Sequence, residues 1–420
     1  MSDERKKGLR CDICTGCGRC PGTIRAVSQS GQEKRLQVVT DSVPGLDFLE
    51  KEQAGSGMFI AADIGTTTIA MELCDERGRR VDSFVSMNPQ AAYGADVISR
   101  IQAAGESKKA LAMQRMARQT LARGIRQFQK KAPEQEQLFM VIAANTTMSY
   151  LLMGWDTGEL GRAPFFSSHL KGESFLLEGI PCYLLPGLSA FVGGDIAAGI
   201  YACGMTCKKG LTLLIDLGTN GEMALGNCDR VLACATAAGP AFEGGANRGI
   251  FGADMVSLTA RLLREGILDE TGLLTDPYFE TGIRIGDVCV TQQSIRAIQL
   301  AKGAIAAGIE ILMKAYPATA DAIEQVVLAG GFGYYLKPED AAGIGLLPGR
   351  LASKALAGGN TALAGARLAG VRLLQAQKGR DEAWERLKED IFPSGCSVEI
   401  KNLAREPDFE ALYLEAMNLG

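Results

Sequence analysis

Residues 211–226, LTLLIDLGTNGEMALG, read as an apolar strand that stops at Asp216, turns through Gly218, Thr219 and Asn220, and returns as a second apolar strand. Residues 59–73, FIAADIGTTTIAMEL, repeat the design with Asp63 at the strand end and Gly65, Thr66, Thr67 and Thr68 in the turn. The two aspartates are 153 residues apart, and each hairpin is followed by a matched element, GGDIAAGI from Gly193 and GGNTALAGA from Gly358. The chain is therefore an internal duplication. Gly65 and Gly218 let the backbone turn sharply and bring N–H groups close to anionic oxygens, because no Cβ intervenes. The threonines and Asn220 add short side-chain donors, and Asp63 and Asp216 suit a hydrated Mg²⁺, a hard cation that keeps several waters. One such turn is also an ordinary hairpin. Two copies, each with its Gly-Gly-acid or Gly-Gly-amide element in the same order, predict that a phosphate chain is clasped between the halves, with Gly194 and Asp195 beside it.

Composition bounds the remaining choices. The 420 residues are long enough for two to three domains, and 47% hydrophobic with 22% charged residues is ordinary globular usage. A net charge of −4, with no basic stripe carrying interleaved aromatics, argues against a nucleic-acid partner. MSDERKKGLR has no apolar run behind it, and the longest apolar stretch, residues 175–194, contains Glu178 and two prolines, so neither a secretory signal nor a membrane span is read. A cytoplasmic protein is expected.

RCDICTGCGRCPG places Cys11, Cys14, Cys17 and Cys20 at intervals of three, followed by Pro21. Thiolates spaced this way point around a common centre, the pattern of an iron–sulfur loop, although the last gap is one residue shorter than in the bacterial ferredoxin run. A four-cysteine zinc site is the rival, but its two pairs usually lie further apart. A four-iron cluster is expected over a two-iron one, although the shortened gap leaves open both the iron count and whether Cys20 is a ligand. The other eight cysteines, Cys74, Cys182, Cys203, Cys207, Cys228, Cys234, Cys289 and Cys396, are scattered and read as small buried hydrophobes, with a ligand pair on a shared helix face as the alternative for Cys203 and Cys207.

The chain divides into a cysteine module (1–20), a polar linker (21–56) with one strand at RLQVV, a first lobe (58–209), a second lobe (210–375) and a helix–strand–helix extension (376–420). A flexible linker of that length has a root-mean-square reach of about 30 Å. Alternating strands and helices with apolar strand runs predict an α/β fold with mixed sheets covered on both faces. AAGPAFEGG (237–245) and LAGGFGYY (328–335) read as glycine-rich loops admitting adenosine, with Gly330, Gly331 and Gly333 against base or ribose and Glu243 accepting a ribose hydroxyl. Lys302 shares an apolar helical stripe with Ile295, Ile298, Ile305 and Ile309, which asks for an anion unless the side chain snorkels to the surface. His169, the only histidine, reads as a satisfied loop residue.

The paired hairpins, the Gly-Gly connectors and the adenosine loop resemble the sugar kinase, heat-shock chaperone and actin superfamily, whose two lobes are duplicated RNase H-like units. Within it, DIGTTT, NPQAAYGADVISRI, NTTMSYLLMG, GGDIAAG, LIDLGTNGE, ATAAGPAFEGG, IRAIQLAKGAI, LAGGFG and IGLLPG together resemble the reductive activators of corrinoid proteins, over about residues 58–420. The resemblance implies an ATPase that returns cob(II)amide in a methyl-transfer partner to cob(I). The implied partners are a corrinoid protein or corrinoid-dependent methyltransferase and a low-potential electron donor, and a homodimer is the expected assembly. It assigns phosphate and Mg²⁺ contacts to Asp63, Gly65, Thr66, Thr67, Thr68, Asp216, Gly218, Thr219 and Asn220, with Asp216 orienting the cation or the attacking water, and adenosine contacts to Gly330, Gly331 and Gly333.

Three departures stand out. The family's usual N-terminal plant-type ferredoxin domain is replaced by the compact cysteine run, a stretch between AFEGG and GIFGAD is missing, and the usual acid before the IRAIQLAK helix is Ser294. The alternatives are an ATP-gated electron donor to another low-potential enzyme, such as a dehydratase or reductase, and a non-catalytic ATP-binding clamp. A plain sugar kinase is disfavoured because no acceptor pocket is legible and a cysteine head would serve no purpose there.

Overall fold

The computed structural model describes residues 57–132, 138–218, 220–239, 252–285, 288–376 and 379–420, together with the backbone of two N-terminal strands. Those strands, β1 (Thr23–Val27) and β2 (Glu33–Gln37), pair antiparallel within the segment read as a linker with a single strand. The first three residues of RLQVV fall in β2.

Two six-stranded sheets form the body. The first contains β3 (Phe59–Ile64), β4 (Thr68–Cys74), β5 (Arg80–Met87), β6 (Met140–Ala144), β7 (Glu173–Leu177) and β8 (Ile180–Leu184), in the order β5-β4-β3-β6-β8-β7. The second contains β9 (Leu211–Leu217), β10 (Gly221–Gly226), β11 (Arg230–Thr236), β14 (Ile323–Ala329), β15 (Ala355–Gly359) and β16 (Ser397–Lys401), in the order β15-β14-β9-β10-β11-β16. A small hairpin, β12 (Ile283–Ile285) with β13 (Val288–Val290), stands apart. In each sheet a three-strand antiparallel meander is extended by two parallel strands on the side of its first strand. The duplication read from two hairpins thus extends to five strands per half. The sixth differs: β7 runs antiparallel to β8, whereas β16 comes from the C-terminal extension and runs parallel to β11.

Side chains alternate across each strand, and both sheets are covered on both faces. Ile60, Ala62 and Ile64 pack outward with Met113, Leu121, Ile125 and Phe128 of the helix Ser107–Gln129. Leu213, Ile215 and Leu217 pack outward with Ile298, Ile305 and Ile309 of the helix Gln292–Ala315. That helix begins in a capping box between Thr291 and Ser294, which gives the serine found in place of the usual acid a structural role.

The inner faces share the two helices that end the halves: Ala197, Ala198 and Tyr201 of the connector keep it on the first sheet as well. The connector helix Gly194–Ala202, which ends the first half, places Ile196 and Ile200 against Leu214, Ala224 and Val327 of the second sheet. The closing helix Thr361–Gln375, which ends the second half, places Ala362, Ala366 and Ala369 with Phe59, Ala61 and Val141 of the first sheet. The two helices cross closely because their contact residues are small: a Cβ on Gly365 would lie 2.1 Å from the Ala198 carbonyl oxygen, and one on Gly370 2.1 Å from the Phe59 ring. A buried ion pair, Arg367 Nη1 to Glu72 Oε2 at 3.5 Å, ties the closing helix to β4.

The C-terminal extension spans both halves. Its helix Arg380–Ile391 buries Trp384, Leu387 and Ile391 in the inner core of the first half, and its strand β16 joins the second sheet. Among the described residues no helix is long and apolar enough to cross a membrane.

Candidate functional site

Strand alternation positions the two aspartates. Asp63 falls on the same face of β3 as Phe59 and Ala61, and Asp216 on the same face of β9 as Leu214, so both point inward from the strand ends where the connector and closing helices begin. The turns beyond them are tight: Gly65 N donates to Thr68 O at 2.9 Å and Gly218 N to Asn220 O at 3.0 Å. Thr66, Thr67, Thr68, Gly218 and Asn220 are half-buried, whereas Thr219 lies outside the described residues.

The closing helix starts at the opposite half's aspartate, and the connector helix starts where its Asp195 acts on both Asp63 and Asp216. Asn360 caps the closing helix, its Oδ1 accepting from Leu363 N at 2.7 Å while its Nδ2 donates to Asp63 Oδ2 at 2.7 Å. Asp195 lies in the first turn of the connector helix and accepts from Ile196 N at 2.8 Å. Gly193 and Gly194 let this helix start hard against the first sheet: a Cβ on Gly193 would lie 2.5 Å from Thr146 N, and one on Gly194 2.9 Å from Leu185 O.

The acids perturb one another. Burial pushes the Asp63 carboxyl up to about 7, with Asp195 adding to the rise and the Asn360 amide opposing it. Burial likewise raises Asp216 to about 7, reinforced by Asp195 and Asp63. Asp195 is raised by burial to about 6, against the pull of backbone N–H groups. Glu222, directly opposite Asp216 in the β9–β10 register, is pushed well above the carboxylate range by burial and by Asp195 and Asp216. In the first hairpin the residue opposite Asp63 is Ala70, so the site is asymmetric.

Carboxylates sharing a site at this density take up protons or a cation. Among the described residues no group of three or more histidine, cysteine or acidic side chains is placed to hold a metal ion directly. The raised, neighbouring carboxyls of Asp63, Asp195 and Asp216 suit a cation such as Mg²⁺, which keeps its waters and is bound through one or two carboxylates and the phosphates of a substrate.

The first hairpin is braced from beneath by residues that the sequence reading did not single out. Asn88 Nδ2 donates to Gly65 O at 2.9 Å and Asn88 N to Thr67 O at 2.9 Å. The fully buried Arg100 donates from Nη2 to Thr66 O at 2.7 Å and from Nε to Gly94 O at 2.9 Å. Both residues lie in NPQAAYGADVISRI, and Glu222 closes LIDLGTNGE, so the strings held these residues without disclosing their roles.

The adenosine residues fare unevenly. GGFGYY is a helical turn, Gly330–Tyr335, rather than a loop. Gly330 has φ +81°, and a Cβ there would lie 2.6 Å from Asp216 Oδ1, so this glycine is required by the close approach of its backbone to the carboxylate. Gly331 faces open space, and Gly333 packs against the Leu328 backbone instead. Lys302 is also corrected. It is buried as its periodicity predicts, but its Nζ donates to the Asn418 carbonyl of the C-terminal tail, and burial lowers its pKa to about 8. Its partner is a neutral backbone oxygen and not an anion. Glu243 and the cysteines Cys11, Cys14, Cys17 and Cys20 lie outside the described residues.

Comparison with known proteins decides the family. Residues 58–208 match the model of the RACo middle region, and residues 210–248 and 245–420 match that of the C-terminal domain of RACo, the ASKHA domain. The chain belongs to the RACo family. The C-terminal match divides at residues 245–248, where the sequence reading noted a missing stretch. The chain is 33% identical over 387 residues to the corrinoid activation enzyme RamQ of Eubacterium limosum, covering 75% of this chain and 64% of that protein. It is 25% identical over 258 residues to the [Co(II) methylated amine-specific corrinoid protein] reductase of Methanosarcina barkeri, covering 48% of this chain and 46% of that one. The match thus spans less than two thirds of either relative's length. A solved structure of a reductive activator for corrinoid, iron–sulfur protein superposes with a TM-score of 0.71 at 28% identity, covering 88% of this chain and 67% of that one. The duplicated two-lobed architecture is that of an ASKHA ATPase body, a fold that implies ATP and Mg²⁺.

Proposed function

We propose that this chain is an ATP-dependent reductive activator that returns a corrinoid protein from Co(II) to Co(I). The observation that carries the proposal is the meeting of Asp63, Asp195, Asp216 and Glu222 with Asn360 where both inner helices begin. Helix N-termini favour anions, so the Gly65–Thr68 and Gly218–Asn220 turns and the starts of the two helices suit a triphosphate. Asp63 and Asp216 would hold a hydrated Mg²⁺, which would supply positive charge to the phosphates, and Asp216 would align the attacking water. Gly330 keeps the backbone close to Asp216, and Gly331 leaves room for the nucleoside.

Coupling follows from the helices shared between the halves. A ligand shifts a conformational equilibrium only through differential affinity for its states, and contacts that cross between the halves differ between open and closed arrangements. Each tenfold preference of the activator for the reduced corrinoid shifts a one-electron couple by about 59 mV.

Cys11, Cys14 and Cys17, with Cys20 as the fourth thiolate, hold a [4Fe–4S] cluster in this reading, and an external low-potential donor reduces it. The relatives are named for action on corrinoid proteins, which supports a corrinoid partner. A cytoplasmic homodimer completes the proposal.

The test is anaerobic: the protein, a reductant, Mg-ATP and a candidate corrinoid protein are mixed, and the Co(II) to Co(I) absorbance change is followed. ATP-dependent reduction supports the proposal. Reduction at the same rate and extent without ATP overturns it and favours an electron donor to another enzyme.

A further inference from the structure

Two cysteines of the body, far apart in sequence, come to the same turn. Cys228 lies in the turn between β10 and β11, and Cys396 lies 168 residues later, just before β16. Parallel pairing sets Arg230 opposite Ser397, and Ser397 N donates to Asp229 O at 3.0 Å. The register therefore brings Cys396 beside the Asn227–Asp229 turn, where its Sγ donates to Asn227 O at 3.7 Å. That carbonyl belongs to the peptide bond whose nitrogen is Cys228 N. Cys228 is half-exposed with its Sγ donating to Asp229 Oδ1 at 3.6 Å, whereas Cys396 is buried.

The position of Cys396 gives the pair its consequence. The extension runs from the helix Arg380–Ile391, seated in the first half, through Phe392–Cys396 into β16 on the second sheet. Phe392 packs against the inner cores of both halves, and Thr206 Oγ1 holds the Ile391 carbonyl at 3.2 Å. Cys396 therefore sits on the link by which a strap crosses from one half to the other.

We propose that Cys228 and Cys396 form a reversible dithiol–disulfide pair that fastens this strap to the second sheet. The oxidant is a small-molecule disulfide of the oxidised glutathione class. The Cys228 thiolate attacks it, forming a mixed disulfide and releasing one thiol. The Cys396 thiolate then attacks the Cys228 sulfur and releases the second thiol. Two protein thiols are oxidised, one external disulfide is reduced to two thiols, and the two protein protons pass to those leaving thiolates. Burial, Cys228 and Asp229 hold the Cys396 thiol above its usual pKa, which makes half-exposed Cys228 the entry point. Disulfides of cytosolic proteins are typically of this transient kind. The inference does not depend on the nucleotide chemistry.

The test uses the full chain, fully reduced, then equilibrated in graded ratios of oxidised to reduced glutathione, quenched by alkylation and mapped by peptide mass spectrometry. Cys228 and Cys396 are expected to lose alkylation together, one for one, with a cross-linked peptide lighter by two hydrogens than its parts. Cys228→Ser is expected to leave Cys396 alkylatable at every ratio, and Cys207→Ser to leave the pair intact. Amide exchange in Ser397–Lys401 is expected to slow about tenfold on oxidation of the unmodified chain and not of Cys228→Ser. Three outcomes overturn the proposal: Cys228 capped by glutathione while Cys396 stays free, Cys228 paired with Cys207, or exchange in the strand indifferent to oxidation.

Discussion

Asn360 and Asp63, 297 residues apart, meet through a 2.7 Å hydrogen bond that joins the cap of the closing helix to the end of the first strand of the body. The duplicated position in the other half is Asp195, an acid where Asn360 is an amide. Two acids at these equivalent positions would place another negative charge beside Asp63. The amide instead donates, and it is the group that pulls the Asp63 carboxyl down against burial.

Replacing Asn360 tests that asymmetry. A hydrogen bond to a charged group contributes about 1.5–3 kcal/mol, so Asn360→Ala is expected to weaken Mg-ATP turnover by about 10- to 100-fold. Asn360→Asp, with like charges adjacent, is expected to be worse than alanine. Phosphate release by each variant, compared with the unsubstituted protein, checks both expectations.

Asp216→Ala is expected to abolish ATP hydrolysis while circular dichroism and the thermal midpoint stay near those of the parent. Glu222→Gln is expected to preserve the fold, lower the pH at which turnover reaches its plateau, and reduce Mg²⁺ affinity. Turnover like the parent's in Asp216→Ala would falsify the assignment of the site.

Glycines at 330 and 331 separate a required conformation from an open one. Gly330→Ala meets both a φ of +81° and a 2.6 Å approach to Asp216 Oδ1, whereas Gly331→Ala enters empty space. The first is expected to cost about 1–3 kcal/mol of stability and most of the turnover. The second is expected to leave stability within about 0.5 kcal/mol. Urea unfolding and nucleotide titration of the two variants measure the difference.

The raised carboxyls predict an unusual pH dependence. Asp63 and Asp216 reach about 7 and Asp195 about 6, against an unfolded value near 3.9. The folded state therefore binds more protons than the unfolded one between those values. Each group contributes stability that is fully present below about pH 4 and lost as pH rises through its folded pKa. Relative to Asp195→Asn, the nucleotide-free protein is expected to lose about 2–3 kcal/mol between pH 4.5 and pH 7.5. Mg-ATP is expected to restore much of that loss by binding the ionised form. A gap between the two proteins that stays constant across this range is the contrary result.

The hairpins were legible in the sequence because an aspartate that ends an apolar strand, followed by glycine and threonine, breaks the alternation at a strand end. The tail was also legible: DEAWERLKED, CSVEIKNLA and EPDFEALYLEAMNL yield the helix Arg380–Ile391, the strand β16 and the helix Phe409–Glu415. Glu222 was not singled out, because an acid in a strand normally faces water, and only a sheet covered on both sides turns it inward. The burial of Lys302 followed from helical period, but its partner, Asn418, is 116 residues away and offers only a carbonyl, which leaves no trace in side-chain pattern. Five of the body's cysteines are buried as small hydrophobes should be, while Cys207 and Cys289 are exposed and Cys228 is half-exposed. His169 stacks on Trp155 with 4.0 Å between ring centroids.

The sharing of the two inner helices bears on how such a chain arises. A fragment ending at residue 209 would keep the connector helix but lack the closing helix that covers its own sheet, and the complementary fragment would lack the reverse. Each fragment would leave part of an apolar sheet face uncovered. A half-length ancestor would have had an apolar sheet face for a second copy to cover, and that copy would have had the same need. Fusion of two such genes would turn a concentration-dependent association into an intramolecular one, after which positions 195 and 360 were free to diverge into the acid and the amide that distinguish the two ends of the site.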